Sequence, residues 1–220
     1  MTKVGIGLVG YYQFVRGYPI GPTLKENIDA ATWLDVDLVT KEMNWGPIAI
    51  VQEFQAEKIE YDRFILVTAV DRGLPQGTVT CRRWLGGELD VLSVQDRVFE
   101  AVTGVISMDN LLVIGEHFGI WPKEVITVEA QLSDTAFGDL VMSEMEINRQ
   151  RGEMNIIGDN PLSEDMEVLV QQLFESVQQA VQHGSKAMTL ESLTIDNLNE
   201  LSNVCHNQFM SDSKRSSETH

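Results

Sequence analysis

Residues 63–70 read RFILVTAV, and residues 71–77 after them read DRGLPQG. A nearly continuous apolar run of this length fits a strand buried on both faces, the kind that lies inside a parallel sheet. Asp71, Gly73, Pro75 and Gly77 punctuate the second stretch, so the chain turns there. Upstream, KVGIGLV at 3–9 predicts a buried strand, and DVDLVT at 35–40 alternates as another. Between them Gly10, Gly17, Pro19, Gly21 and Pro22 impose an irregular loop. Thr23, with Glu26 three residues on, then predicts a capping box and a helix to about Trp33. Pro47 suits the start of a second helix, running to about Glu57.

Downstream, TVTCRRW at 78–84 alternates and is expected near a sheet edge, with Arg82 reaching water. Helical stretches follow over 93–103 and 107–118, then the strand EVITVEA at 124–130. Ser163 predicts the cap of a long helix ending at Gly184, with Leu169, Val170, Leu173, Val177 and Val181 at helical spacing. Residues 131–160 are rich in Met, Glu and Asn with little periodicity and read as an insertion. A further helix is expected within 185–209, and 211–220 (SDSKRSSETH) as a disordered tail. Strands alternating with helices, on connections long enough for crossovers, predict an α/β fold. Its expected form is three-layer, a mostly parallel twisted sheet of about five strands with helices on both faces. The domain organisation read from this is one α/β domain over 1–184 and a C-terminal extension over 185–220.

The 220 residues carry 33 acidic and 16 basic side chains, a formal net charge of −17. Such a surface repels phosphate backbones and anionic lipid, so neither nucleic acid nor membrane is an expected partner. Cys81 and Cys205 have no pairing or zinc-site spacing, and the N-terminal MTKVGIGLVG is too short an apolar run for a signal segment. The expected compartment is the cytoplasm.

Four stretches together resemble the hydrogenase maturation endopeptidases, which clip a C-terminal peptide from the large subunit of [NiFe]-hydrogenase. They are the opening strand with Gly5 and Gly7 followed by Ile20-Gly21, RFILVTAVDRGLPQGTV at 63–79, ISMDNLLVIGEHFGIWPKEVITVEA at 106–130, and PLSEDMEVLVQQLFESVQQAV at 161–181. The resemblance implies a site where a Glu, an Asp and a His surround one metal ion, nickel being the divalent candidate. Oxygen and imidazole ligands suit such an ion. In this chain those positions fall at Tyr18, Thr68 and Asp109. A hydroxyl such as that of Thr68 is a poor ligand, and a tyrosine binds metal well only when ionised, with a pKa near 10. No cofactor is therefore expected, and no catalytic residue is assigned.

Other residues are weighed against simpler roles. Asp71 fits a turn-opening Asp, or a promoted ligand. Glu116 shares a helix face with Asp109 and is either a relocated carboxylate or a solvated charge. His183 suits a helix C-terminus, and His206 beside Cys205 is not at ligand spacing. Gly5-x-Gly7-x-x-Gly10 matches a dinucleotide fingerprint in form, but the irregular loop after it does not enter a helix at once. The loop Tyr11-Tyr12-Gln13-Phe14-Val15-Arg16-Gly17-Tyr18 follows the first strand, where open parallel sheets bind ligands. Tyr12, Phe14, Arg16, Tyr18, Thr68 and Asp109 are the expected binding residues. Three readings stay open: a maturation-endopeptidase-like hydrolase, a non-catalytic binding factor for a hydrogenase-like large subunit or other protein, and a small-molecule binding domain.

Overall fold

Alternation within Arg63–Val70 (β3) sets the layers: Ile65 and Val67 face one side of a sheet, Phe64 and Leu66 the other, and all four are fully buried. A strand that buries both faces needs a helical layer on each. In the computed structural model, which describes residues 1–57, 59–102, 107–153, 160–186, 188, 190–198 and 201, both layers are present. On one face Ile65 and Val67 meet Leu24 and Ile28 of α1 (Pro22–Ala30) and the apolar stripe Leu169, Leu173, Val177 and Val181 of α6 (Glu164–His183). On the other, Phe64 and Leu66 meet Ile50 of α2 (Pro47–Glu57) and Leu111 and Leu112 of α4 (Met108–His117), beside which lies α3 (Val91–Val102). No helix of the described residues is long and apolar enough to cross a membrane.

The remaining strands are β1 (Thr2–Val9), β2 (Val36–Met43), β4 (Val79–Trp84), β5 (Val125–Gln131) and β6 (Glu191–Leu193), and the order across the sheet is β2-β1-β3-β5-β4-β6. β1 runs parallel to β2 and β3, and β3 parallel to β5. β4 is antiparallel to β5, with β6 parallel to β4 beyond it. The architecture is the expected three-layer α/β one, with six strands among the described residues instead of about five. One consequence of the order matters for the site. Because β4 lies beyond β5, the turn that leaves β3 must cross the C-terminal end of β5. It is pinned there, the Gly77 N–H donating to the Gln131 carbonyl at 2.9 Å and the Gln131 N–H to the Thr78 carbonyl at 2.8 Å.

Several expectations are corrected. Gly21, not Thr23, caps α1, and no side chain caps it, because Pro22 at the first helical position lacks an N–H and presets the helical φ. The helix ends at Ala30, and Trp33 instead donates its indole N–H back to the Ile28 carbonyl at 3.1 Å. Arg82 does not reach water: it is 5% exposed, because β6 covers that flank of β4 and two glutamates receive its guanidinium. The stretch 131–160 contains a regular helix, α5 (Ala136–Gln150). Residues 191–193, expected as helix, pair with 82–84 as strand, and helix resumes at 195–198. The tail 211–220 lies outside the described residues. The glycines of the apparent fingerprint are there for packing. A Cβ on Gly5 would collide with the Phe64 ring, and one on Gly7 with Met43.

Candidate functional site

At the end of β1, Gly10 turns the chain with φ 72°, a backbone that favours glycine. The loop beyond sends Tyr11 into the core and leaves Tyr12 and Tyr18 facing the rim of the sheet. There α5 delivers Phe137, whose ring stacks on Tyr12 with centroids 3.9 Å apart and planes 20° from parallel. Tyr18 meets both rings edge-on, at 5.7 Å from Tyr12 and 5.2 Å from Phe137. Close packing holds α5 against the loop, since a Cβ on Gly17 would press on Glu144 and Leu140.

These rings wall a cavity of about 460 Å³ at the C-terminal ends of β1 and β3, with Thr68, Asp71, Arg72, Ser107, Asp109 and Asp134 among its lining residues. A larger cavity of about 680 Å³ opens at the opposite end of the sheet, beside Tyr61, Phe54 and Trp121. Open parallel sheets bind ligands outside the carboxyl ends of their strands, so the smaller cavity is the candidate site.

Its floor is charged. Ser107 caps α4 by accepting the Asn110 N–H at 3.1 Å, which places Asp109 in the first turn, where the helix dipole favours a carboxylate. The turn crossing β5 carries Arg72 over it. The guanidinium donates to both Asp109 oxygens, Nη1 to Oδ2 at 2.7 Å and Nη2 to Oδ1 at 2.5 Å, and through Nε to Glu129 Oε2 at 3.2 Å. Burial works against the charge on Arg72, but the hydrogen bonds and charges of Asp109 and Glu129 outweigh it and raise its pKa further. Glu129 is 1% exposed and also receives the Thr127 hydroxyl at 2.8 Å and Arg82 Nη1. Arg82 Nε continues the chain of charges to Glu191 at 3.1 Å. Alternation explains this polar layer inside a sheet: Thr68, Thr127, Glu129 and Arg82 project on the α4 side, away from the Ile126–Val128–Ala130 face packed on α6.

Of the expected residues, Tyr12, Tyr18, Thr68 and Asp109 line this one cavity although they come from three separate segments. Phe14 and Arg16 are not part of the lining: Phe14 is 70% exposed, and Arg16 turns to Glu26 at 2.8 Å. Asp71 opens its turn as expected, accepting the Gly73 N–H at 3.0 Å, and also receives the Gln131 amide at 2.7 Å. Glu116 is half-buried and accepts the Trp84 indole N–H at 2.8 Å, so it does not join Asp109. His183 stands in the last turn of α6, and Cys205 and His206 lie outside the described residues. Arg72, Glu129, Asp134 and Phe137 were missed. A glutamate inside the apolar run 124–130 was the available signal for a buried charge pair.

The metal that the sequence resemblance implies does not fit these side chains. Both Asp109 oxygens are held by Arg72, and the Thr68 hydroxyl donates to the Ala69 carbonyl at 3.2 Å. Burial, with a smaller effect of Tyr12, pushes the Tyr18 phenol up to about 12, so it stays neutral near pH 7. Among the described residues no group of three or more His, Cys, Asp or Glu side chains is gathered to hold an ion.

No family model matches the chain, and no curated protein does. Solved structures do resemble it. The solution structure of the endopeptidase HycI from Escherichia coli is 18% identical, covers 89% of this chain and 98% of its own, and superposes with a TM-score of 0.45. The [NiFe] hydrogenase maturation protease HycI from Thermococcus kodakarensis is 14% identical over 83% of this chain and 94% of its own, with a TM-score of 0.45. A pyrrolidone carboxyl peptidase from Fervidobacterium islandicum is 10% identical over 81% and 98%, with a TM-score of 0.41. At these identities the likeness concerns the fold and not the activity.

Proposed function

We propose that this protein is a maturation-endopeptidase-like binding factor that holds a segment of a protein partner in the aromatic cleft without cleaving it. The partner class suggested by the sequence resemblance is a [NiFe]-hydrogenase-like large subunit. One observation carries the choice of binding over hydrolysis: Arg72 engages both oxygens of Asp109, the one good ligand left at the substituted positions. Hydrolysis would need a metal-activated or base-activated water. Among the described residues the cavity lining contains no histidine or cysteine, Asp109 is committed to a bidentate ion pair, and Asp71 accepts from the Gly73 N–H and the Gln131 amide. Binding needs less. The stacked pair Tyr12 and Phe137, with Tyr18 across it, offers rigid aromatic area of the sort that anchors interfaces.

The test is incubation with a [NiFe]-hydrogenase large-subunit precursor that retains its C-terminal extension. A stable complex with the extension intact, weakened by Tyr12→Ala with Phe137→Ala, is the expected result. Release of the C-terminal peptide by the purified protein overturns the non-catalytic reading. Capture unaffected by the double substitution overturns the assignment of this cleft.

A further inference from the structure

We propose that Arg72 keeps divalent metal out of this cleft: its guanidinium is the fixed cation of the site, and the carboxylates it holds take up a divalent ion once it is removed. The proposal starts from what a buried carboxylate requires. Asp109 and Glu129 are 9% and 1% exposed, and two such charges close together need a cation between them. Arg72, itself 7% exposed, sits there, forked on Asp109 and reaching Glu129 through Nε. Its backbone is held too, the Arg72 N–H donating to Gln131 Oε1 at 2.7 Å. The guanidinium is therefore positioned by its own main chain as well as by its partners.

Arg82 does not duplicate this role. It reaches Glu129 from the β4 side and divides its guanidinium between Glu129 and Glu191, with no bond to Asp109. Removing Arg72 leaves Asp109 without its neutralising fork, beside a Glu129 that Arg82 only partly offsets. The donors that remain are carboxylate oxygens, which suit a hard divalent ion such as Mn²⁺ better than nickel or zinc. At these two carboxylates Arg72 is what stands in the way of a divalent ion, independently of whether the cleft binds a protein.

The experiment titrates Mn²⁺ into the full chain, followed by the electron paramagnetic resonance of the free ion and by thermal shift. Wild type should take up no Mn²⁺ at this site. Arg72→Ala should bind one ion per chain and gain thermal stability from it. Arg72→Ala combined with Asp109→Asn should lose that binding. Arg72→Lys, which keeps a cation, should exclude the ion as wild type does. Should Arg72→Ala not fold, Arg72→Gln replaces it with the same expectations. Folded Arg72→Ala or Arg72→Gln that ignores Mn²⁺ overturns the proposal. So does Arg72→Lys that binds as tightly as Arg72→Ala, because then space and not charge was the barrier.

Discussion

One arginine opens β3 and another lies in the turn just after it, and the two are used differently. Arg63 opens the strand. Its Nε meets Glu124 at 2.6 Å, and its Nη1 donates to the Ala180 and Val181 carbonyls at 2.9 and 2.8 Å. Glu124 also accepts the Ser185 N–H and O–H at 2.8 and 2.6 Å. Arg63 thus donates to carbonyls in the last turn of α6, one of which, Ala180, also accepts the Gly184 N–H, and ties that helix to the sheet. Arg72 follows the strand and meets carboxylates instead of carbonyls. Its side chain is 4% exposed where that of Arg63 is 13%. At one end of the strand charge serves the scaffold, and at the other it neutralises the floor of a cleft. Losing the second should cost more, because the carboxylates it leaves, Asp109 and Glu129, are more deeply buried than Glu124.

The sharpest way to break this comparison is Arg72→Met. Urea unfolding should show a loss of about 3–5 kcal/mol, the usual penalty for breaking a buried ion pair. Adding Asp109→Leu should recover part of it, since both charges are then gone. A single-variant loss as small as that of a surface pair would mean the buried floor is not neutralised as described. Arg63→Met should cost less, about 1.5–3 kcal/mol, the range for hydrogen bonds to charged groups. If it costs more than Arg72→Met, the ranking of the two ends is reversed.

Phe137→Leu comes next in size. Stability should fall by about 0.5–1.5 kcal/mol, the worth of an aromatic pair, while capture of the large-subunit precursor falls further. Equal losses in both would make the stack mere packing. The smallest effect concerns acid. Burial opposes charge on Glu124, but the Ser185 hydrogen bonds and Arg63 outweigh it, so its carboxyl sits below the ordinary glutamate value. A depressed folded pKa contributes stability above the unfolded value, about 4.3, and loses it as pH falls through the folded one. The stability difference between wild type and Glu124→Gln should therefore hold near neutrality and shrink below about pH 4. A difference that grows in acid would show that the pair is not ionic.

Local pattern carried much of the fold. The run 63–70 was legible as a doubly buried strand because eight residues of mostly apolar side chains leave no solvent face. Ser163 and Gly184 marked the ends of α6 because capping chemistry is a property of single residues. Pattern failed where a neighbour decided the outcome. Arg82 alternates like an exposed position, and it becomes interior because β6, more than a hundred residues on, covers that flank. The stretch 136–150 forms a helix although its apolar face is weak, and its Phe137 and Leu140 pack against the aromatic loop and Gly17.

The site divides along the same line. The resemblance brought Tyr18, Thr68 and Asp109 forward and the loop after the first strand brought Tyr12, and all four line one cavity because an α/β sheet collects such segments at one rim. It could not say that Asp109 has a partner. Arg72 lies 37 residues from Asp109 and 57 from Glu129 in sequence, and inside a turn it reads as one more solvated charge. What joins them is strand order: β5 inserts between β3 and β4, so the turn leaving β3 must pass over the end of β5 and lower its arginine onto two buried carboxylates. Pairing energy falls with distance through space, and that distance exists only once the sheet is assembled.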